Sequence, residues 1–375
     1  MDFPYSRLRR WPDVEADNLQ AHDATDLLLV ERALAPDFSG FSGSEIAVIG
    51  DEYGAITLAL TDGGLDGIRV HQDLATGRRA LARNAEELGL TGFSTHELDS
   101  TLLDGARLVL LQLPKALAEL EEIADAVSRR AAPDVVLVAG GRVKHMTITQ
   151  NEVLARSFET VQAQRAERKS RLVVASEPRP APAESPFPVT ERHDGLVLVA
   201  HGGAFAGAKL DIGTRVLLEV LGLDEQPSPA PIVVDLGCGT GALAASYALA
   251  HPESRVIATD RSAAAVASAR ATMVANGVDD RVAVMHDDAG SEIADATADV
   301  VLLNPPFHLG SSVHTGAATR LFEAAARILR PGGELFTVFN SSLGYRAELT
   351  RLVGATEQLA RTPKFTVTAS VAAPH

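Results

Sequence analysis

The chain has 375 residues, 46% of them apolar and 22% charged, and carries a formal net charge of −15. That length exceeds what one hydrophobic core usually organises and predicts two domains, while no apolar run approaches the roughly 20 residues that span a bilayer, so neither a membrane span nor a membrane partner is expected. The acidic balance repels polyanions at long range, the single Cys238 suits a reducing compartment, and the start Met1-Asp2-Phe3-Pro4 lacks a secretory signal, so a cytoplasmic protein is expected in which any nucleic-acid contact needs a locally basic face.

The first strand pattern is Ile46 to Ile49, followed by the turn Gly50-Asp51-Glu52-Tyr53-Gly54 and a helical stretch from Ala55 to Leu60. Apolar runs at Leu108 to Leu113 and Val135 to Ala139, the second ending before Gly140-Gly141, alternate with helical stretches at residues 74 to 89 and 115 to 130. Such alternation predicts an α/β fold with a mostly parallel sheet covered on both faces, so residues 1 to 175 read as one domain. A proline-rich linker is expected at residues 176 to 190, where Pro178, Pro180, Pro182, Pro186 and Pro188 stand among small and charged residues.

Residues 191 to 375 then repeat the alternation. After Leu196 to Ala200 and a helix opening at Asp211-Ile212-Gly213, strands are expected at 232–235, 255–259, 281–285, 299–303 and 333–339, with helices at 241–250, 263–276 and 315–329. His201-Gly202-Gly203 reads as a turn, with Phe205 and Lys209 beyond it on the substrate side. Both halves follow one order of elements, which points to duplication of a Rossmann-like domain. Only the second copy is chemically equipped.

That equipment begins with Val233-Val234-Asp235-Leu236-Gly237-Cys238-Gly239-Thr240-Gly241, a strand entering a glycine-rich turn before a helix. Gly237, Gly239 and Gly241 let backbone approach a ligand or adopt turn conformations that side chains obstruct. At the next strand end, Asp260 stands where a carboxylate can accept from both hydroxyls of a ribose, which fits an adenosine cofactor. Asp235 and the third-strand end His286-Asp287-Asp288-Ala289 are not parts of a dinucleotide fingerprint.

The fourth strand ends in Asn304-Pro305-Pro306-Phe307-His308, beyond the carboxyl end of the sheet where ligands of open α/β folds bind. A planar exocyclic amine is a poor nucleophile until acceptors take its hydrogens. The Asn304 side-chain oxygen and Pro305 carbonyl can supply them, and Phe307 can stack on a base. Neither His308 nor His314 has a metal-ligand partner at a recognisable spacing, so no metal is expected.

The motif set from Asp235 to Asn304 resembles the class I methyltransferases. That resemblance implies S-adenosylmethionine as cofactor, its methionine part on Asp235 and the glycine loop, its ribose on Asp260, its adenine on Asp287 or Asp288, and Asn304 beside it. Together with Phe205, Leu210-Asp211-Ile212-Gly213, Asn340, Tyr345 and Lys364-Phe365-Thr366-Val367, the Asn-Pro-Pro-Phe-His motif resembles the bacterial ribosomal RNA guanine-N2 methyltransferases. The resemblance implies tandem class I methyltransferase domains with a degenerate N-terminal copy, and assigns Phe205, Asp211 and Tyr345 to the substrate.

Segments of the N-terminal half, among them Leu113-Pro114-Lys115, Gly140-Gly141-Arg142-Val143-Lys144-His145-Met146 and Lys169-Ser170-Arg171-Leu172, look more like the 23S enzyme than the 16S one. Lys144, Lys169 and Arg171, with Arg142, Arg156, Arg165 and Arg168, form the most basic neighbourhood in the chain and are candidates for RNA phosphates or, equally, a solvated face. A monomer is expected, since two domains can supply reader and catalyst. Competing readings are an Asn-Pro-Pro-aromatic enzyme acting on protein glutamine or adenine N6, a noncatalytic RNA-binding or assembly protein, and a dehydrogenase, for which no hydride-transfer constellation is visible.

Overall fold

A computed structural model describes residues 3–38, 40–221, 231–306 and 315–373. Two compact units divide the chain at Phe187 and Pro188. Among the described residues no helix is long and apolar enough to cross a membrane.

The first unit runs α1 (Ala24–Ala33), β1 (Ile46–Ile49), α2 (Ala55–Asp62), β2 (Ile68–His71), α3 (Ala75–Leu88), β3 (Phe93–Thr95), α4 (Ser100–Leu103), β4 (Leu108–Gln112), α5 (Leu117–Arg130), β5 (Val136–Arg142), α6 (Ile148–Ser157), β6 (Phe158–Ala163) and β7 (Ser170–Pro178). The second runs β8 (Val189–His193), β9 (Leu196–Ala200), α7 (Ile212–Leu221), β10 (Ile232–Leu236), α8 (Ala242–Ala250), β11 (Arg255–Asp260), α9 (Ala263–Asn276), β12 (Val282–His286), β13 (Ala298–Leu303), α10 (Thr315–Ile328), β14 (Leu329–Asn340), α11 (Arg346–Leu352), β15 (Gly354–Arg361) and β16 (Phe365–Ala372).

Each unit holds one seven-stranded sheet, and the two orders correspond: β3-β2-β1-β4-β5-β7-β6 and β12-β11-β10-β13-β14-β16-β15. The first five strands of each order are parallel, and the last two pair antiparallel at one edge. Central strands are apolar on both faces because helices cover both: Val233 and Val234 of β10 are fully buried, as are Ala47 and Val48 of β1. Burying each such valine contributes roughly 1.5–3 kcal/mol, enough to hold these strands in mid-sheet.

Helix ends carry local signals. Asp23 caps α1 by accepting from Thr25 N at 2.6 Å, with Asp26 reaching back to Asp23 N at 2.7 Å. Ser262 caps α9, which stops at left-handed Gly277.

Strand β5 does not stop at Gly140-Gly141. It continues to Arg142 because β7 pairs alongside both glycines, and a Cβ on Gly140 would lie 2.7 Å from Thr25 Cγ2. Likewise β7 extends to Pro178, and the following segment stays with the first unit, where Arg129 donates to the carbonyls of Pro182 (2.6 Å) and Glu184 (3.0 Å).

Candidate active site

The turn between β10 and α8 is hooked onto β11 by Gly237 N and Cys238 N, which donate to Thr259 O at 2.8 and 2.9 Å. Gly239 N then donates to Asp260 Oδ2 at 2.9 Å, and Ser262 N holds Oδ1 at 2.9 Å, so the carboxylate at the end of β11 is fixed from both sides. The three glycines divide by role. Gly237 and Gly239 have φ of +79° and +55°, and a Cβ on either would meet nothing within 4 Å. Their open side is a cradle. Gly241, at φ +79°, is closed instead: its Cβ would lie 2.5 Å from Met273 Cε and 3.1 Å from Ala269 Cβ, so it lets α8 pack on α9 and does not line the pocket.

Around this cradle lies a cavity of about 340 Å3, which brings together Asp235, Gly237, Gly239, Asp260, Asp287, Asp288, Asn304, Pro305, Phe205, Lys209 and Asp211. Asp235 is buried and accepts from Ala244 N at 3.0 Å; burial, and then the Asp260 charge, push its carboxyl up to about 7. Burial likewise pushes the Cys238 thiol up, leaving an unreactive side chain in the wall.

The two candidates for the adenine differ in what already occupies them. Asp287 has both oxygens engaged by its own loop, accepting from Ser291 Oγ at 2.6 Å and Glu292 N at 2.9 Å. Asp288 pairs with Arg320 through Oδ2, and its Oδ1 has no partner among the described residues.

At the end of β13, Asn304 Nδ2 donates to Asp211 Oδ2 (3.1 Å) and Thr214 Oγ1 (3.0 Å). Its Oδ1 is buried without a hydrogen-bond partner among the described residues. Asp211 also caps α7, accepting from Thr214 N at 3.1 Å. Phe205 lines the cavity and is 62% exposed, open for a flat ligand to cover. Phe307, His308 and His314 lie outside the described residues. Tyr345 is not brought to the cavity: its ring packs edge-on against Phe322 and Phe339, with centroids 5.2 and 5.5 Å away.

Sequence reading missed Thr214 and Arg320. The first carried a signal, because it stands three residues after the capping Asp211; the second carried none, since its partner Asp288 lies 32 residues away. Among the described residues no group of three His, Cys, Asp or Glu side chains could hold a metal.

The first unit carries the matching turn, closed. Gly50 N donates to His71 O at 3.0 Å as Gly237 N does to Thr259 O, and Gly54, like Gly241, starts a helix in the left-handed conformation. In that register Val48 stands for Asp235, Glu52 for Gly239 and Gln72 for Asp260. Asp73, the acidic residue beside it, is one position too far along. Tyr53 is covered by the Arg10 guanidinium at 4.7 Å and donates to Asp13 Oδ2 at 2.8 Å.

On the same unit the pairing of β5 with β7 sets Gly141 opposite Arg171 and Arg142 opposite Ser170, while Val143 N donates to Lys169 O at 3.0 Å. Lys144, Lys169 and Arg171 are thereby gathered. Arg142 and Arg168 lie against Asp23 (3.8 Å) and Glu31 (2.8 Å), whereas Lys144 and Lys169 are exposed with no ion pair among the described residues. Arg156 is set apart, paired with Glu121 of α5 at 2.6 Å.

Comparison with known proteins follows this two-part design. Residues 195–369 match the methyltransferase small domain, and residues 2–179 match the RLMG N-terminal domain. The 16S rRNA N2 G1207 methyltransferase of T. thermophilus, solved in complex with AdoMet and guanosine, superposes with a TM-score of 0.73 at 23% identity, covering 94% of this chain and 92% of that one, which shows the fold. Proteins named ribosomal RNA large subunit methyltransferase G are 35% identical in Streptomyces avermitilis, over 97% of this chain and 96% of theirs, and 35% identical in Pseudomonas putida, over 97% of both. On that identity, along nearly its whole length, the chain belongs to the ribosomal RNA large subunit methyltransferase G family.

Proposed function

We propose that the second unit transfers a methyl group from S-adenosylmethionine to the exocyclic N2 amine of a guanine in ribosomal RNA, with 23S RNA the substrate rather than 16S. The observation that carries this reading is Asn304 Oδ1, a buried acceptor without a partner among the described residues, in the cavity that the open glycine cradle lines. S-Adenosylmethionine, when bound, supplies an electrophilic methyl group on a sulfonium.

The chain's own residues do the rest. Asp260 takes the ribose hydroxyls, Asp288 accepts from the adenine amino group through its free oxygen, and Asp235 with the turn backbone receives the methionine part. Asn304 Oδ1 and Pro305 O accept the two hydrogens of the guanine amine and draw its lone pair out of conjugation, and Phe205 and Phe307 hold the base flat. Positioning two reactants this way supplies most of the rate. A base inside a duplex is out of reach, so the target is one extruded from its stack.

The exposed Lys144 and Lys169, with Arg171, hold RNA phosphates on the first unit. One chain supplies both parts, so the protein acts as a monomer in the cytoplasm.

The test is transfer of labelled methyl to unmethylated 23S and 16S RNA, with nucleoside analysis and Asn304→Ala alongside. The expected result is N2-methylguanosine in 23S RNA, reduced by about 10²–10³-fold in the variant. Label in protein glutamine or adenine N6 would move the same amine chemistry to another substrate. No label from a chain that binds the cofactor would leave an RNA-binding protein.

A further inference from the structure

We propose that Asp211 is a positioning residue for this transfer: its carboxylate fixes which end of the Asn304 amide faces the cavity. The inference rests on the reading of Asn304 as acceptor for the substrate amine. The two ends of an asparagine amide have nearly the same shape and opposite hydrogen-bonding character. With Oδ1 toward the cavity the amide accepts from an amine. Turned over, it presents two donors to a group that also donates.

That choice is made at the Nδ2 end of the amide. Nδ2 donates to Asp211 Oδ2 at 3.1 Å and to Thr214 Oγ1 at 3.0 Å. An ionised carboxylate only accepts, so turning the amide over would set two acceptor oxygens against each other at hydrogen-bond distance. The Thr214 hydroxyl donates as readily as it accepts and follows either orientation. Asp211 therefore decides.

Asp211 is itself held in place. The same Oδ2 accepts from the backbone N of Thr214 at 3.1 Å, and Asp211 O accepts from Arg215 N at 2.9 Å, so the start of α7 carries the carboxylate as a fixed part. The oxygen on the far side of the Asn304 amide is the one left buried and unpartnered. Asp211 thus acts on the amine through Asn304 and need not touch the base.

Capping and positioning can be separated by substitution. Asp211→Ser keeps an oxygen that caps the helix but ends one bond short of Asn304. Asp211→Asn, its oxygen kept on the Thr214 N–H, retains the acceptor. Asp211→Gly, a tolerated cap, repeats the test should the serine variant not fold.

For Asp211→Ser, single-turnover methyl transfer is expected to slow by about a hundredfold, with S-adenosylmethionine affinity within about threefold of the parent and Asp211→Asn within about fivefold. Placed on Asn304→Ala, Asp211→Ser is expected to slow the reaction no further, because the two residues act as one unit. Equal slowing on both backgrounds would overturn the proposal in favour of a structural role for the helix start. Full activity of Asp211→Ser with an impaired Asn304→Ala would overturn it while leaving the acceptor reading intact. Full activity of Asn304→Ala would sink the acceptor reading itself.

Discussion

The two sheets share an order of strands, a hooked turn after the central strand and a left-handed glycine at the start of the next helix, yet the second turn carries the open Gly239 where the first carries Glu52. Three of the side chains that differ between them bear on the ligand. Glu52 replaces the bare backbone of Gly239, Val48 replaces the buried carboxylate of Asp235, and Gln72 replaces Asp260. Gly50 and Gly54 persist because the turn needs their backbone conformation, +82° and +89° in φ, and Gly54 also needs its missing Cβ, which would sit 2.6 Å from Leu81 Cδ1. A glycine in such a motif can thus be there for the fold or for the ligand, and the space around its Cα tells which.

That division is the first thing to break. Gly239→Glu, which places the first unit's residue at this position, puts a carboxylate in the cradle beside Asp260 and is expected to weaken S-adenosylmethionine binding by about a hundredfold or more, read by calorimetry, with a loss of about 1 kcal/mol of stability from the left-handed backbone there, φ +55°. Gly54→Ala and Gly241→Ala are expected to behave in the opposite way, each costing about 1–3 kcal/mol of stability. Tight cofactor binding by Gly239→Glu would mean that the open side of the turn is not where the ligand lies.

The next effect is smaller and depends on pH. The Asp235 carboxyl, pushed up to about 7 by burial and the Asp260 charge, has no ionisable counterpart at Val48. A ligand ammonium prefers the carboxylate, so affinity holds above pH 7 and falls by about tenfold per unit below it. For folding the sign reverses: the folded-state value lies above the ordinary one, so protonation of Asp235 adds stability as pH falls from about 7 toward 4. Binding constants between pH 5.5 and 7.5 check this, with Asp235→Asn as reference for the ligand's own titration. Parallel curves for the two proteins would place the ammonium elsewhere.

Much of this was legible from residues alone. Helix 263–276 and strand 196–200 stand where periodicity put them, because each is bounded by local signals, such as the Ser262 cap and Gly277 stop of the helix. The residues of the cradle were legible because glycines, carboxylates and Asn304 fall at strand ends, the one place in such a sheet where ligands fit. The antiparallel edge strands were not: β15 is half polar and mostly exposed, and β16 is strand by its pairing with β14, which lies far from it in the chain. The Asn304 contact with Asp211 spans 93 residues and left no pattern to read, so Asp211 was legible as a residue of the cavity but not as the acceptor of the Asn304 amide. Tyr345 was misleading for a similar reason, since only the folded core shows that Phe322 and Phe339 claim its ring.

The smallest effect expected is on the first unit, and it asks what a closed copy is for. Lys144 and Lys169 stand just outside the paired strands β5 and β7, exposed and with no ion pair among the described residues, whereas Arg142 and Arg168 nearby already face Asp23 and Glu31. Phosphate contacts by the two lysines release counterions, so Lys144→Ala and Lys169→Ala should each lower RNA affinity by a few-fold at moderate salt and reduce the steepness of its salt dependence by about 0.7–0.9. The loss should be the same for RNAs of different sequence, because a phosphate carries no base identity. Cofactor affinity should not move, since the cradle belongs wholly to the other unit. Arg168→Ala should change RNA binding less than either lysine, because its guanidinium is already paired. If the lysine variants bind RNA with an unchanged salt slope, the basic edge is a solvated face and the first unit serves its partner domain in some way other than by holding the substrate.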